Sequence, residues 1–512
     1  MSSAQFSNAV AATVRSPLLD SGGLLVAATI AAFSLLAFAF VAAGVRRRFW
    51  WWVAASVHVA AGVLLPFTRD LLSFFVLWEM VTLGAVGVLA FEPDARRLLR
   101  LYLPLQLLAA ALLMSAFGAH YGVSGSLLLP VQGLEAGAGV ALAALSIKAA
   151  VIPVHLWMTR TYTAVRPETA VVLSAVATKI GVFGMYRLIS GGPTLEIAGG
   201  AVAVVGVIYA LRQKQLRHFL AFHIVSQVGY MIAGVGSTVA FAGAGGLFHL
   251  ANNVVYKGLL FMVVVMLISR FGHSNIYRMN GAGRSMPVLA VVAVVASASI
   301  SGLPPFNGYV SKTVIEQFLS SPVAVALLRI AGVGTAISFT KFLWYCFFKR
   351  AEPRGAGRED TCDEIVGDNA HSVPARSRPA GGGVAVDGRP AAHASARRRI
   401  AIAVILSLAC VVMGLAAVAI FPALPADAAV TLESFRFGLV PPAIGVLLFA
   451  LAYSRLRPAL ERLPSATLYT RPLSTGATRL LRALQEQHSG DVRRYLGWIL
   501  MGLIVIWAVV IL

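Results

Sequence analysis

The chain has 512 residues, of which 58% are hydrophobic and 12% charged, with a mean hydropathy of +0.80 and a formal net charge of +21. Hydrophobicity at that level with so few charges excludes a water-soluble domain and indicates an integral membrane protein. An excess of 42 Lys plus Arg over 21 Asp plus Glu would suggest nucleic acid in a soluble protein, but here most of it lies in short loops between apolar runs, which points to membrane orientation instead.

The first 23 residues lack the basic-then-apolar order of a signal peptide, so the first apolar run is expected to stay as an uncleaved span. A spanning helix needs about 20 mostly apolar residues. That ruler predicts fourteen segments, near 24–44, 49–66, 70–91, 98–119, 134–157, 165–188, 193–211, 218–236, 243–270, 287–320, 323–349, 399–421, 433–455 and 493–512. The tenth is too long for one ordinary helix and contains Gly302-Leu303-Pro304-Pro305, which predicts two half-helices joined by an unwound link. Proline also interrupts the fifth, in LSIKAAVIPVHLW.

Alternating the fourteen segments across a bilayer with the N-terminus outside collects the basic clusters on one face. Arg46-Arg47-Arg48, Arg96-Arg97-Arg100, Arg212-Lys214-Arg217, Arg270-Arg278-Arg284, Lys349-Arg350, Arg397-Arg398-Arg399 and Arg455-Arg457 all fall there, and the positive-inside rule assigns that face to the cytoplasm. One missed or invented helix would scramble the pattern. The stretch 350–398, rich in Pro, Gly, Ala and Arg, has too few large apolar residues for a core and reads as a disordered cytoplasmic loop. In 456–492, ATRLLRALQEQ spaces leucines for a short interfacial helix.

Two lysines stand where lipid should be. Lys148 and Lys312 each lie beside a helix break in a long apolar stretch. A charge at membrane depth costs roughly 2.5 to 3.5 kcal/mol on insertion scales, so it normally faces a bundle interior or a water-filled path. Segments two to six (49–188) and seven to eleven (193–349) form two five-helix units, and an odd number of helices makes successive units inverted. The fourth helix of each unit is the broken one, with Lys148 or Lys312, and the fifth carries Lys179 or Lys341. The third helix of the second unit carries His249, Asn253 and Lys257 at i, i+4, i+8 on one stripe, and the second helix of the first carries Glu79. Domain limits follow as 1–48, 49–188, 193–349, 350–398 and 399–512. The fold class is all-α and polytopic, with inverted repeats of the kind that ion and solute transporters use.

The stretches LWEMVTLGAV, IKAAVIPVHLWMTRTYTAVRPETAVVLSAVATKIGVFGMYR, QKQLRHFLAFHIVSQVGYM, LFHLANNVVYKGLLF and ISGLPPFNGYVSKTVIE, spread in order over about residues 70–320, resemble one family. It is the antiporter-like proton-channel family shared by respiratory complex I, membrane hydrogenases and Mrp-type multisubunit cation/proton antiporters. ATKIGVFGMYR, PPFNGYVSK and HSGDVRRYLGWILMG resemble the D-type member of the antiporters most closely.

The resemblance implies a proton pathway. It pairs Glu79 with Lys148, passes the proton through Lys179 toward the centre, uses His249 and Lys257 as the central relay and Lys312 as the terminal lysine. Three departures stand out. Two N-terminal helices usual in the family are expected to be absent. Trp157-Met158-Thr159 replaces the usual WLP, and Arg166-Pro167-Glu168 replaces small residues and proline at the cytoplasmic mouth of the first half.

The chemistry asks for these residue types: a desolvated lysine can exist neutral while a nearby carboxylate restores its charge, and histidine links such stations near neutrality. Further candidates each have a plainer alternative. His155, expected close to the membrane surface, could be interfacial or capping; His218 and His223 could be structural; Lys312 and Glu316 could be an intrahelical pair; Lys341 could snorkel. Glu168 and Asn253 complete the candidates. Cys346, Cys362 and Cys410 form no CxxC, and no Rossmann fingerprint, P-loop, haem motif or metal cluster occurs, so no cofactor is expected. The expected function is a proton-translocating membrane subunit of a multisubunit complex in the plasma membrane, working with other membrane subunits, protons and Na+. Mrp-type antiport leads. A redox-driven proton-pumping module and a proton-driven membrane partner of an inorganic-carbon uptake complex are the alternatives.

Overall fold

In a bilayer the backbone has no partner but itself, so apolar runs of this length must close their hydrogen bonds within helices. The computed structural model describes residues 21–350, 390–426 and 432–463, and these are helical almost throughout. The expected fourteenth span at 493–512, residues 351–389 of the expected loop, most of the interfacial segment 456–492, Cys362 and the HSGDVRRYLGWILMG stretch lie outside the described residues, while 390–398, expected to belong to that loop, are helical.

The helices are α1 (Ser21–Ala42), α2 (Phe49–Leu64), α3 (Leu71–Ala90), α4 (Ala95–Ser124), α5 (Ala138–Lys148), α6 (Leu156–Ala164), α7 (Pro167–Leu188), α8 (Pro193–Arg212), α9 (Leu216–Val235), α10 (Ala240–Phe271), α11 (Pro287–Ser301), α12 (Asn307–Phe318), α13 (Pro322–Leu343), α14 (Pro390–Leu415) and α15 (Leu432–Arg462). Among the described residues, eleven helices are long and apolar enough to cross a membrane, and α5 and α11 are shorter apolar helices. The molecule is a multi-pass membrane protein. The segment expected at 134–157 ends too early: its second half, α6, continues to Ala164, because residues 149–155 are taken up by the break rather than by helix.

Both breaks have a local cause. After α5 the chain turns out of the helix at Ala150, whose φ of 58° is left-handed, and Pro153 follows with no N–H to give. Trp157 Nε1 donates to the carbonyl of Ile147 at 2.7 Å, capping an acceptor near the end of α5. After α11 the turn is made at Gly302, φ 82°, ahead of the two prolines. There the Ile300 carbonyl receives its donor from Lys312 Nζ at 2.7 Å. The non-helical backbone is buried at Ala150 and His155 of the first break and at Gly302 of the second, while Pro153 and Pro305 are exposed.

The bundle is layered around α7, α9 and α10, whose side chains are almost all buried, while α14 and α15 are largely exposed on their outer faces. Helix pairs approach closely through glycine. A Cβ on Gly84 of α3 would lie 2.5 Å from the His58 backbone N of α2, and one on Gly206 of α8 would lie 2.6 Å from the Ser226 backbone N of α9. Small residues are how helices gain contact where lipid is as apolar as leucine.

Two buried carboxylates tie down the helix ends. Glu92, after α3, accepts from Arg166 N at 2.6 Å and Thr169 Oγ1 at 2.6 Å and pairs with Arg47 at 3.3 Å. Glu196, in the first turn of α8, accepts from Ser321 N at 2.8 Å, Ser320 Oγ at 2.9 Å and Ser237 Oγ at 2.7 Å. In both cases the bonded backbone N–H belongs to the N-cap of a helix that opens on proline, Pro167 of α7 or Pro322 of α13. In both, the partners come from the start of a first helix, a loop between second and third helices, and the start of a fifth. The whole length of α7 separates the two clasps, so they close opposite ends of the bundle.

Orientation can be checked directly. In a background with Cys346, Cys362 and Cys410 replaced, cysteine at Ala95 should react with an impermeant thiol reagent only from the cytoplasmic side. Cysteine at Ala426 should react only from outside. Labelling of both from one side would refute the alternation of spans.

Candidate functional site

The charged and polar candidates of α5, α7, α9, α10 and α12 lie inside the bundle, and Glu79 of α3 is half-buried. Lys148, Lys179, Lys257, His223, His249 and Asn253 are 0% exposed and Lys312 is 6% exposed. A lysine buried to that degree needs an acceptor or an aromatic face, and Lys148 and Lys312 have both.

Lys148, the last residue of α5, donates from Nζ to Thr82 Oγ1 of α3 at 2.6 Å, with the ammonium 4.7 Å from the Trp78 ring centroid. Trp78 and Thr82 are i, i+4 and share one stripe of α3, while Glu79 is a step of about 100° round the helix. Glu79 therefore lies within electrostatic reach of Lys148 but forms no ion pair with it, and its Oε1 has no hydrogen-bond partner. The pairing that the resemblance implies is not a contact ion pair in this structure; the lysine is held by a hydroxyl and a ring.

Lys179 of α7 is bonded only to its neighbour Thr178, at 3.5 Å, and it faces Lys257 of α10, whose Nζ has no hydrogen-bond partner. Two buried amines that repel when both are charged are suited to handing a proton from one to the other. This meeting of α7 and α10 joins the part of the bundle around Lys148 to the part around Lys312.

Beyond it runs a connected polar line. His249 Nδ1 bonds Ser311 Oγ of α12 at 2.9 Å, and its Nε2 lies 3.2 Å from Gln227 Oε1 of α9 and 3.3 Å from Tyr256 OH. Tyr256 OH donates to Gln227 Oε1 at 3.2 Å and accepts from Asn253 Nδ2 at 3.1 Å. Asn252 Nδ2 donates to the Asn307 carbonyl at the second break, at 2.9 Å. The hydrogen-bonded line ends at Ser311 of α12, the residue before Lys312, whose own Nζ bonds the Ile300 carbonyl. Gln227 and Tyr256 were not among the sequence candidates. Tyr256 lies seven residues after His249, on the same helical face, and that spacing was the available signal.

The remaining candidates divide. His223 of α9 is fully buried with both ring nitrogens unpartnered, lies against Phe219 and Phe339, and faces Lys257, Lys312 and Lys341. His155 is 1% exposed, with its ring 5.8 Å from Phe222 of α9, so it is packed inside the bundle. Lys341 does not snorkel. Its Nζ bonds the carbonyls of Leu211 at 2.8 Å and Gln213 at 3.0 Å, which caps the C-terminal end of α8. Glu168 pairs with Arg399 of α14 at 3.1 Å, and Arg399 also bonds the Phe40 carbonyl of α1 at 3.3 Å, so this carboxylate joins three helices. Lys312 and Glu316 make no ion pair; Glu316 turns instead to Arg329 of α13 at 3.6 Å. Glu92 and Glu196 escaped the sequence reading altogether. Among the described residues no cluster of three or more His, Cys, Asp or Glu could hold a metal ion.

Residues 68–338 match the family model described as NADH:quinone oxidoreductase/Mrp antiporter, transmembrane, which is more than half of the chain. The chain belongs to that family. Its relatives include hydrogenase-4 component B of Escherichia coli, 28% identical over 57% of this chain and 50% of that protein. They also include the D-type component of a Na(+)/H(+) antiporter of Alkalihalophilus pseudofirmus, 24% identical over 55% of this chain and 62% of that protein. The chain thus matches only half to just under two thirds of these relatives' lengths. The fold is similar to a chain of the Mrp complex from a Dietzia species, with a TM-score of 0.66, 24% identity and 86% of each chain covered. It is also similar to a chain of respiratory complex I from Thermus thermophilus, with a TM-score of 0.63, 22% identity and 84% and 85% of the two chains covered. The matched stretch contains every station from Glu79 to Lys312.

Proposed function

We propose that this chain is a proton-translocating subunit of a multisubunit complex in the plasma membrane, and that the complex exchanges protons for a monovalent cation, Na+ before others. The observation that carries the reading is the set of buried residues Lys148, Lys179, Lys257, His249 and Lys312, carried inside the bundle by the two broken helices and by α7 and α10 between them. Proton stations of this kind need residues that exist in both protonation states without reaching bulk water, and buried lysine and histidine do. Residues 49–188 and 193–349 act as two inverted half-channels. The matching carboxylate clasps at Glu92 and Glu196 support that division, since each joins the same three parts of its half at opposite ends of the bundle.

A second reading has an observation of its own: the relative that is 28% identical is named as a hydrogenase component. In that reading the same stations serve a redox-driven pump, with the redox chemistry carried elsewhere in the complex. Everted membrane vesicles containing the complete complex separate the two. With a respiratory proton gradient established, addition of Na+ should release protons in proportion to the amount of complex. Absence of any response to Na+, K+ or Li+, together with redox-driven proton uptake that scales with the amount of this complex, would transfer the function to the second reading.

A further inference from the structure

Lys148 and Lys312 reach the same kind of seat by different routes. Lys148 ends the first half of its broken helix and Lys312 stands in the second half of its own. Yet each ammonium lies against an aromatic ring supplied by the second helix of its five-helix set: Trp78 of α3 at 4.7 Å and Tyr230 of α9 at 4.5 Å from the ring centroid. Both rings are fully buried, and neither is free to swing away. Trp78 packs on Phe74, and the Tyr230 hydroxyl donates to the Leu328 carbonyl of α13. A core aromatic residue that merely filled space would meet the lysine stem; here the nitrogen itself is over the ring.

An ammonium has three N–H donors, and each of these lysines has one hydrogen-bond acceptor, Thr82 Oγ1 or the Ile300 carbonyl. The negative face of an aromatic ring attracts a cation within about 6 Å, most strongly when both are out of water. It does nothing comparable for a neutral amine. We propose that Trp78 and Tyr230 are positioning residues, each presenting a ring face that steadies the protonated lysine at the break of its own half and so sets the pH range over which the pathway runs. This rests on the proton-pathway reading above. Other charged and titratable groups also face the two lysines: Glu79 and His58 face Lys148, and Glu316, His223 and His249 face Lys312. None of these groups is itself replaced when only the rings are changed, and the fluorinated series at Trp78 leaves His249, which packs on the Tyr230 ring at 5.6 Å, untouched.

The test uses the complete complex in everted vesicles, with tryptophan at 78 replaced by its fluorinated analogues, which keep shape while draining the ring face of charge. Proton transport measured against pH should lose its alkaline side progressively, by up to about one pH unit for the most fluorinated ring. Trp78→Leu and Tyr230→Leu should do the same, whereas Tyr230→Phe, which keeps the ring, should keep the pH profile even if its rate falls. An unchanged profile through the fluorinated series would overturn the proposal. A second measurement does not depend on transport. In the purified full chain, the thermal cost of Trp78→Leu should be smaller when Lys148 is already methionine, because the cation that needs the ring has gone. Strictly additive costs would also overturn the seat. Coupling without any transport in the wild type would keep the seat and remove the proposed function.

Discussion

Lys148→Ala and Glu79→Ala are each expected to reduce proton-coupled transport by about two orders of magnitude, the scale on which loss of one positioned proton-transfer group slows a reaction. The protein should still insert and assemble. Lys148 is held by Thr82 Oγ1 and the Trp78 ring, and removal of its side chain leaves a hydroxyl and an apolar ring face behind, neither of which needs a charge to be stable. Glu79 has an oxygen without a partner and makes no ion pair, so its loss breaks no structural bond. What it removes is the carboxylate whose approach to Lys148 favours the charged amine and whose withdrawal favours release. Glu79→Asp keeps that carboxylate on a shorter stem and should retain part of the rate. Transport in everted vesicles, with the amount of inserted protein measured alongside, decides the matter. Wild-type rates in both alanine variants would remove these residues from the pathway.

How much of this was legible in the sequence depends on whether the cause was local. Gly302, Pro304 and Pro305 act on their own backbone, and a charged residue in an apolar run is visible as such, so the broken helices and the buried lysines could be read directly. The stripe of His249, Asn253 and Lys257 could be read because four-residue spacing is a property of one helix. Glu92 and Glu196 could not. Glu92 in FEPDARR has the appearance of a solvated loop acid, and Glu196 that of a helix-start acid. Their burial comes from helix N-caps 74 and 125 residues further along the chain. His155 misled for a related reason. A histidine two residues after a proline at the end of an apolar run has the appearance of an interfacial or capping residue, but its ring is buried against Phe222 of α9, far along the chain. The open geometry of Glu79 and Lys148 was equally out of reach, since it turns on which face of α3 meets α5.

Lys312→Met and Lys312→Arg are expected to fail alike in transport, and their stabilities tell why. Methionine keeps most of the side-chain length, so the stem still fills the space beside Gly302, where a glycine Cβ position lies 3.1 Å from Lys312 Cδ. It takes away the donor that satisfies the Ile300 carbonyl at the break, a loss of about 1–3 kcal/mol for a buried acceptor left alone. That cost is modest, so the variant should be folded, somewhat less heat-stable in detergent and unable to pass a proton. Arginine keeps a donor for the carbonyl and a cation for the Tyr230 ring, but a guanidinium does not release its proton at ordinary pH. A relay lysine therefore predicts that arginine blocks conduction as completely as methionine does, however stable the protein is. A lysine that only braces the break predicts the reverse ranking, with arginine active and methionine damaged. Transport and thermal stability measured on both variants separate the accounts, and an arginine variant that is stable and conducts protons at the wild-type rate would show Lys312 to be a fixed charge.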